Sequence, residues 1–542
     1  MKALYKKLTA IAAGLPALMT VAGCGTLMLL ASCNDWLEEE TPGVTKLNDY
    51  FTAGSQSAAE DVVNSAYAPL QWEFGDTYCA EWFIGDIASD DALKGGQNLA
   101  DGLQYLDIDN FKVQADNSML LDYWRAQWSG VARANLAITE LPYMSGDSIA
   151  SDVRSRLIAE ARFLRAYYYF RLVRVFGAMP IIDFVVNSSS KWHKDRASLD
   201  ENYTFILDDL LAAETGLWVK SRYADEDLGR ATKGAAQAML AKVYLTRHDY
   251  AQAKTWAKKV IDSHEYTLFG AAHGGYYQNF TLDGENGAES VFEIQYMDDD
   301  MSDYGGFGYT RGSFSQILTR SRSSNMGGGW GFNHPTQNLY DEYETAPTLD
   351  PRRDLTILNP TDAEMTNPEE EVYLGNRYIS NKLAWRNSSG TFPKLSHDAR
   401  GPLNNRQIRY SDVLLIYAEA CCESGDLTAA KSALNEVRSR VGLADFPYTA
   451  TYQGTVHAFA DNQADLRTAI RHERRVELAM EGHRWFDLVR WGIAKQTLDA
   501  YIAKESAEVR DQWGFFQEGK NELFPIPTKE LELSGIEQNP GY

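Results

Sequence analysis

Two glycine-rich stretches hold the residues whose chemistry is easiest to read. Residues 304–314 run YGGFGYTRGSF and residues 326–335 run MGGGWGFNHP. Glycine has no side chain to cover its neighbours, so the rings of Tyr304, Phe307, Tyr309, Trp330 and Phe332 are expected to stand exposed. An exposed ring offers a flat apolar face that stacks on the C–H face of a sugar, while Asn, Asp and Arg nearby satisfy the hydroxyls. Tyr296, at the end of a strand-like run from Ser290, joins this candidate set. A second cluster, Trp72, Phe74, Tyr78, Trp82 and Phe83, lies beside Asp86, Asp90 and Asp91, with Asp91 the candidate polar partner. The competing reading is that these rings simply pack loops onto helices.

Other chemistries find little support. Asp298, Asp299, Asp300 and Asp303 form a dense acidic turn in which Asp298 and Asp300 could hold Ca²⁺. The turn lacks the glycine and the closing glutamate of an EF-hand loop, and a solvated loop is the plainer reading. The nine histidines form no HExxH pair, which argues against zinc. No GxSxG elbow occurs. Residues 514–521, GFFQEGKN, imitate a phosphate loop, but Asn521 stands where a magnesium-binding Ser or Thr is needed. No linear spacing singles out a carboxylate pair for glycoside hydrolysis. The expectation is a protein without cofactor or catalytic set.

The chain has 542 residues, 44% hydrophobic and 23% charged, as a globular protein does. Its 52 Lys and Arg against 75 Asp and Glu leave a net charge of -23, which repels phosphate backbones and excludes a nucleic-acid partner. At the N-terminus Lys2, Lys6 and Lys7 precede an uncharged run from Leu8 to Ala31, which reads as a secretory signal or a retained membrane anchor. The run closes on Leu30-Ala31-Ser32-Cys33 and turns polar at Asn34-Asp35, which resembles a lipoprotein lipobox with Cys33 as the lipidated residue. Cys24 is a second candidate, but cleavage there would leave the apolar Leu27–Leu30 on the mature chain. Residues 1–32 are thus read as signal peptide, 33–55 as an extended lead, and 56–542 as one domain. Cys79, Cys421 and Cys422 read as small core residues.

Helices must position the loops. Residues 152–176 carry Leu157, Ala161, Leu164, Tyr168, Leu172 and Val175 at spacings of three and four, which predicts one long helix ended by Gly177 and Pro180. Its Tyr167–Phe170 run reads as helix packing. From Ala241 the chain reads AKVYLTRHDYAQAKTWAKKVI and from Ala418 it reads AEACCESGDLTAAKSALNEVR, so that Asp249 aligns with Asp426 and Lys254 with Lys431. Each copy resembles the helix–turn–helix unit of tetratricopeptide repeats, which must stack to bury its apolar face. Helices are also expected at 120–141 and 463–482. The scaffold is read as 120–264 and 405–500, and the irregular 265–400, with short strands at 290–296 and 378–379, as the binding region.

Two C-terminal stretches extend the reading. Residues 471–492 are RHERRVELAMEGHRWFDLVRWG and residues 521–542 are NELFPIPTKELELSGIEQNPGY. Both resemble hallmark segments of the SusD/RagB family of outer-membrane nutrient-binding lipoproteins. The Cys33-Asn34-Asp35-Trp36-Leu37 start and the Ala161–Tyr169 segment fit as well. The resemblance implies a mostly α, SusD-like fold and a lipid-anchored protein at the cell surface. It further implies capture of an oligo- or polysaccharide and delivery to a SusC-like TonB-dependent transporter, without catalysis. The rival readings are an all-α glycoside hydrolase or lyase at the same surface, or a peptide- or glycoprotein-binding uptake protein. The hallmark segment itself reads as an ion-pair-stitched helix, with Glu481 and Arg484, or Asp487 and Arg490, one turn apart.

Overall fold

The structure, a computed structural model, describes residues 54–542 except 74, 76, 145–148, 187–192, 299–310, 384–400 and 514. The expected signal peptide, Cys33 and the lead up to residue 53 lie outside the described residues.

Helix starts follow from side chains that replace missing backbone partners. Ser55 opens α1 (Gln56–Tyr67) by accepting the Ala58 amide. Asn117 opens α2 (Ser118–Glu140) in the same way. The predicted long helix is α3 (Ser151–Phe176), and it ends on Gly177 at φ 76°, a value that favours glycine. α3 packs between α2 and α4 (Leu199–Gly216) and is buried along most of its length. Its tyrosines pack, as expected, and each buried hydroxyl finds a partner. Tyr168 donates to the Ala66 carbonyl at 2.8 Å and Tyr169 to that of Pro180 at 3.1 Å. Gly130 on α2 allows the contact with α3, since a Cβ there would lie 2.1 Å from the Tyr168 ring.

The internal repeat becomes two helix pairs, α5 (Lys233–Thr246) with α6 (Tyr250–Asp262) and α7 (Tyr410–Glu423) with α8 (Leu427–Arg440). The aligned aspartates do the same job in both. Asp249 caps α6 by accepting from Gln252 at 3.1 Å, and Asp426 caps α8 by accepting from Ala429 at 3.2 Å. The pairs stack through α6 and α7, and α9 (Gln463–Leu478) covers α7. The aligned lysines also match: Lys254 reaches Asp426 at 2.6 Å and Lys431 reaches Asp461 at 2.9 Å.

Between the helical blocks, short antiparallel pairs hold the loops. They are β1 (Ala92–Gly95) with β3 (Phe332–Pro335), β2 (Ser290–Ile294) with β6 (Asn405–Arg409), β4 (Ile357–Leu358) with β5 (Ile379–Ser380), and β7 (Thr449–Tyr452) with β8 (Thr455–Ala458). The last is a hairpin that the sequence reading missed. Its turn residues Gln453 and Gly454 have φ of 51° and 66°, the geometry of a tight hairpin turn.

The predicted helix 463–482 stops at Leu478, because Met480 at φ 62° and Gly482 at φ 77° turn the chain. A separate helix, α10 (Arg484–Arg490), follows. This break corrects one expected ion pair. Glu481 turns inward to Arg409 and Lys382, both at 2.7 Å, and Arg484 instead meets Asp90 at 2.8 Å. Asp487 and Arg490 do pair, at 2.8 Å. On α9, Glu473 and Glu477 are buried in a network with Arg352, Arg409, Arg438 and Arg440, while Arg474 pairs with Asp412 and Asp487 and Arg475 with Asp90, Asp91 and Glu342.

Candidate functional site

The candidate site is built around Trp330, whose side chain is half exposed at 48%. Its backbone is not loose. The Trp330 amide donates to the Ile317 carbonyl and the Gly331 amide to that of Arg320, each at 2.9 Å. The preceding glycines make this turn possible. Gly327 and Gly328 take φ of 97° and 60°, and a Cβ on Gly329 would meet the Arg320 carbonyl oxygen at 2.5 Å. Glycine therefore serves here to fold the main chain tightly onto the helix Ser315–Thr319 and its end, leaving the tryptophan as the group that projects. Phe314 supports the ring edge-on, with centroids 5.3 Å apart and planes at 86°.

The neighbouring Phe332 takes the opposite path and is buried. Gly331 at φ 70° breaks the strand between the two rings, so Trp330 faces out while Phe332 turns in. Phe332 fills a slot left by Gly96 and Gly102, where a Cβ would stand 3.0 Å and 2.8 Å from its ring, and it packs on Tyr105 at 5.2 Å. Exposure was the expectation for Phe332, and the structure corrects it.

The same correction applies to Tyr296 and to the Trp72 cluster. Tyr296 is buried and donates to Glu73 at 2.8 Å; Ser313 and the Ser315 amide donate to the other oxygen of that carboxylate. Burial pushes the Glu73 carboxyl up, against these hydrogen bonds. Trp82 donates to the Tyr78 hydroxyl at 2.8 Å, which also meets Ser315 at 2.9 Å, so both rings belong to a closed interior network. Trp72 is buried with the Arg133 guanidinium 5.0 Å above its ring. Asp91 faces inward to Arg475 at 2.8 Å, so its charge is committed to the core. These residues lie beside acids in the sequence, yet Asp90 and Asp91 meet Arg475 and Arg484, and Asp86 meets the Asn333 side chain and the Gly482 amide, rather than solvent. Tyr309 and Asp300 lie outside the described residues, and Asp298 is exposed. Among the described residues, no group of three or more His, Cys, Asp or Glu side chains is placed to hold a metal ion.

One wall of the Trp330 surface was not anticipated from sequence. β1 pairs with β3 so that Gly95 lies opposite Phe332, and the Gly96 amide donates to the Gly331 carbonyl at 2.6 Å. The loop Gly95–Gly102 thus stands directly beside Trp330, with Gln97, Asn98 and Ala100 exposed on it. The side-chain amide of Gln97 supplies both donors and an acceptor suited to hydroxyl groups, and that of Asn98 supplies donors while its Oδ1 accepts the Ala100 amide at 2.9 Å. The described ends of the aromatic stretch also converge. Met297 donates to Arg311 at 2.9 Å, and Ser313 exchanges hydrogen bonds with Gly401 immediately before Phe314.

A separate groove of about 510 Å³ runs between α2 and the C-terminal segment, lined by Trp124, Trp128, Phe184 and Leu533. It is mostly apolar, with Asn135 and Glu530 at its polar edge.

Stacked helix pairs carrying a loop-rich region held by short strand pairs define a SusD-like fold. Residues 288–542 match the model of the SusD family, and residues 35–245 match a model described as starch-binding associating with outer membrane. The chain belongs to the SusD family. A SusD-like protein P2 of Formosa agariphila is 27% identical, over 95% of this chain and 98% of its own length. A solved laminarin binding SusD-like protein superposes with a TM-score of 0.74 at 28% identity, covering 90% of this chain and all of that one. Surface glycan-binding protein A from Bacteroides fluxus does so with a TM-score of 0.74 at 25% identity, with the same coverage.

Proposed function

We propose that this protein is a glycan-binding lipoprotein, anchored through Cys33 at the outer-membrane surface, that captures an oligo- or polysaccharide without cleaving it and passes it to a SusC-like TonB-dependent transporter. The observation that carries the reading is Trp330: a half-exposed indole on a hydrogen-bonded main chain, beside the exposed amides of Gln97 and Asn98. A rigidly presented ring loses little freedom on binding, and amides beside it match the hydroxyl pattern of a sugar. Weak single contacts suffice on a polymer, because repeated units raise the effective concentration. The relatives named for laminarin and surface glycan binding make laminarin the first ligand to try.

Among the described residues, the acids nearest the site are committed to other partners. Asp101 accepts the Gln97 amide at 2.8 Å within its own loop. Asp86, raised to about 7 by burial, is enclosed between the Asn333 side chain and the Gly482 amide.

The test is titration calorimetry of the soluble form with laminarin and a glycan panel, using wild type, Trp330→Ala and Trp128→Ala. Trp330→Ala should lower affinity at least about tenfold, ~1.4 kcal/mol, while Trp128→Ala leaves it within about twofold. Equal binding by wild type and Trp330→Ala would overturn the site. New reducing ends after incubation with glycan would overturn the non-catalytic reading.

A further inference from the structure

Lys94 lies at the inner side of the loop beside Trp330, fully buried on β1. Its ammonium donates to the main-chain carbonyls of Gly95 and Asn98, both at 2.8 Å, and to that of Asp101. The rings of Tyr373 and Phe332 lie 4.9 Å and 5.6 Å from Nζ. The loop wraps this cation. Gly95, Gly96 and Gly102 take φ of 76°, 76° and 70°, which lets successive carbonyls turn inward while Gln97 and Asn98 stay outside. Three carbonyl oxygens converging on one point repel each other and are buried away from water, so the arrangement requires a donor at its centre. The loop then reaches across to the site through the Gly96 amide and the Gly331 carbonyl, one residue from Trp330.

We infer that Lys94 is a positioning residue for ligand capture, whose ammonium closes the loop Gly95–Gly102 against Gly331 and so holds the polar wall in place beside Trp330. The inference rests on the glycan-binding reading of Trp330. It also makes capture sensitive to alkali. Burial lowers Lys94 to about 8, against the pull of Asp101 and Asp109. The histidine and tyrosines around it do not change charge near that pH. His334, lowered by burial to about 4, is neutral, and Tyr373 and Tyr105 are raised by burial beyond the range. Asp101 and Asp109 face the same ammonium, with burial pushing the Asp109 carboxyl well up, and Arg322 faces His334.

The experiment compares wild type, Lys94→Met and Trp330→Ala in laminarin binding from pH 6.5 to 9.5, with thermal melts at each pH and hydrogen exchange of the Gly96 amide at pH 7. Lys94→Met should abolish protection of the Gly96 amide and weaken binding about fivefold or more at pH 7. Wild-type affinity should fall by a similar factor between pH 7 and 9.5, and the Lys94→Met profile should be flat. A protected Gly96 amide in Lys94→Met overturns the inference, and so does a wild-type affinity that stays constant to pH 9.5 in folded protein. Should Lys94→Met fail to fold, the wild-type profile decides alone. Undiminished binding by Trp330→Ala overturns the reading of the site itself, and the Gly96 exchange still reports on the Lys94 clamp separately.

Discussion

Removing the Glu477 carboxylate should cost about 3–5 kcal/mol of stability, the usual cost of stranding a buried charge. Glu477 sits on α9 with no exposed side-chain surface and receives Arg440 at 2.5 Å and Arg352 and Arg409 at 2.9 Å. Burial by itself would raise its carboxyl; Arg440, Arg409 and Arg352 reverse this and hold it well below the usual range. Three charge-assisted hydrogen bonds at ~1.5–3 kcal/mol each would total about 4.5–9 kcal/mol, above most of the expected range. The reason for the smaller figure is that each arginine keeps another anion. Arg352 retains Asp350 and Glu473, Arg409 retains Glu289 and Glu481, and Arg440 retains Glu289. Glu477→Ala, followed by urea unfolding at pH 7, should shift the midpoint strongly. Lys258→Ala, which breaks only the exposed Lys258–Asp262 pair, should change stability by less than ~0.5 kcal/mol. A Glu477→Ala cost below ~1 kcal/mol would refute the argument that this network holds the C-terminal segment to the core.

Two further outcomes follow from the packing. His472 is buried, which disfavours its charge, but a hydrogen bond to Glu342 and attraction from Glu342 and Glu344 overcome this and raise it to about 9. A raised folded value stabilises fully below the unfolded pKa of ~6.5 and is lost as pH rises through the folded one. The stability gap between wild type and His472→Ala, of which charge should contribute ~3 kcal/mol at pH 6, should therefore narrow from pH 7 to 9.5 in chemical denaturation; a constant gap would contradict it. Gly130→Ala should destabilise by ~1–3 kcal/mol despite the better helix propensity of alanine, because its Cβ would lie 2.1 Å from the Tyr168 ring; a rise in melting temperature would show that the ring can yield.

Periodic features were the ones legible in the sequence. The spacing in 152–176 located α3 to within a residue at its start, and the alignment of Asp249 with Asp426 marked the turn of both helix pairs. Those signals are local, since a helix buries one face at a fixed interval and a cap acts within three residues. The aromatic candidates were harder. Glycine beside a ring was read as exposure, and that holds for Trp330 but not for Phe332, two residues away. Tyr78, Trp82 and Tyr296 appear available only until Glu73, Ser313 and Ser315 are brought around them.

From its residues alone, then, this chain declares a helical scaffold with stacked pairs, an acidic globular body, a lipobox-like start and the C-terminal hallmarks of its family. Tertiary structure alone decides which charges and rings reach solvent. Asp91 and Arg475 are separated by most of the chain yet pair at 2.8 Å, and Gly96 meets Gly331 only because β1 and β3 happen to lie side by side. Helical period and capping are set by neighbours within one or two turns, whereas burial depends on which distant segment arrives to exclude water.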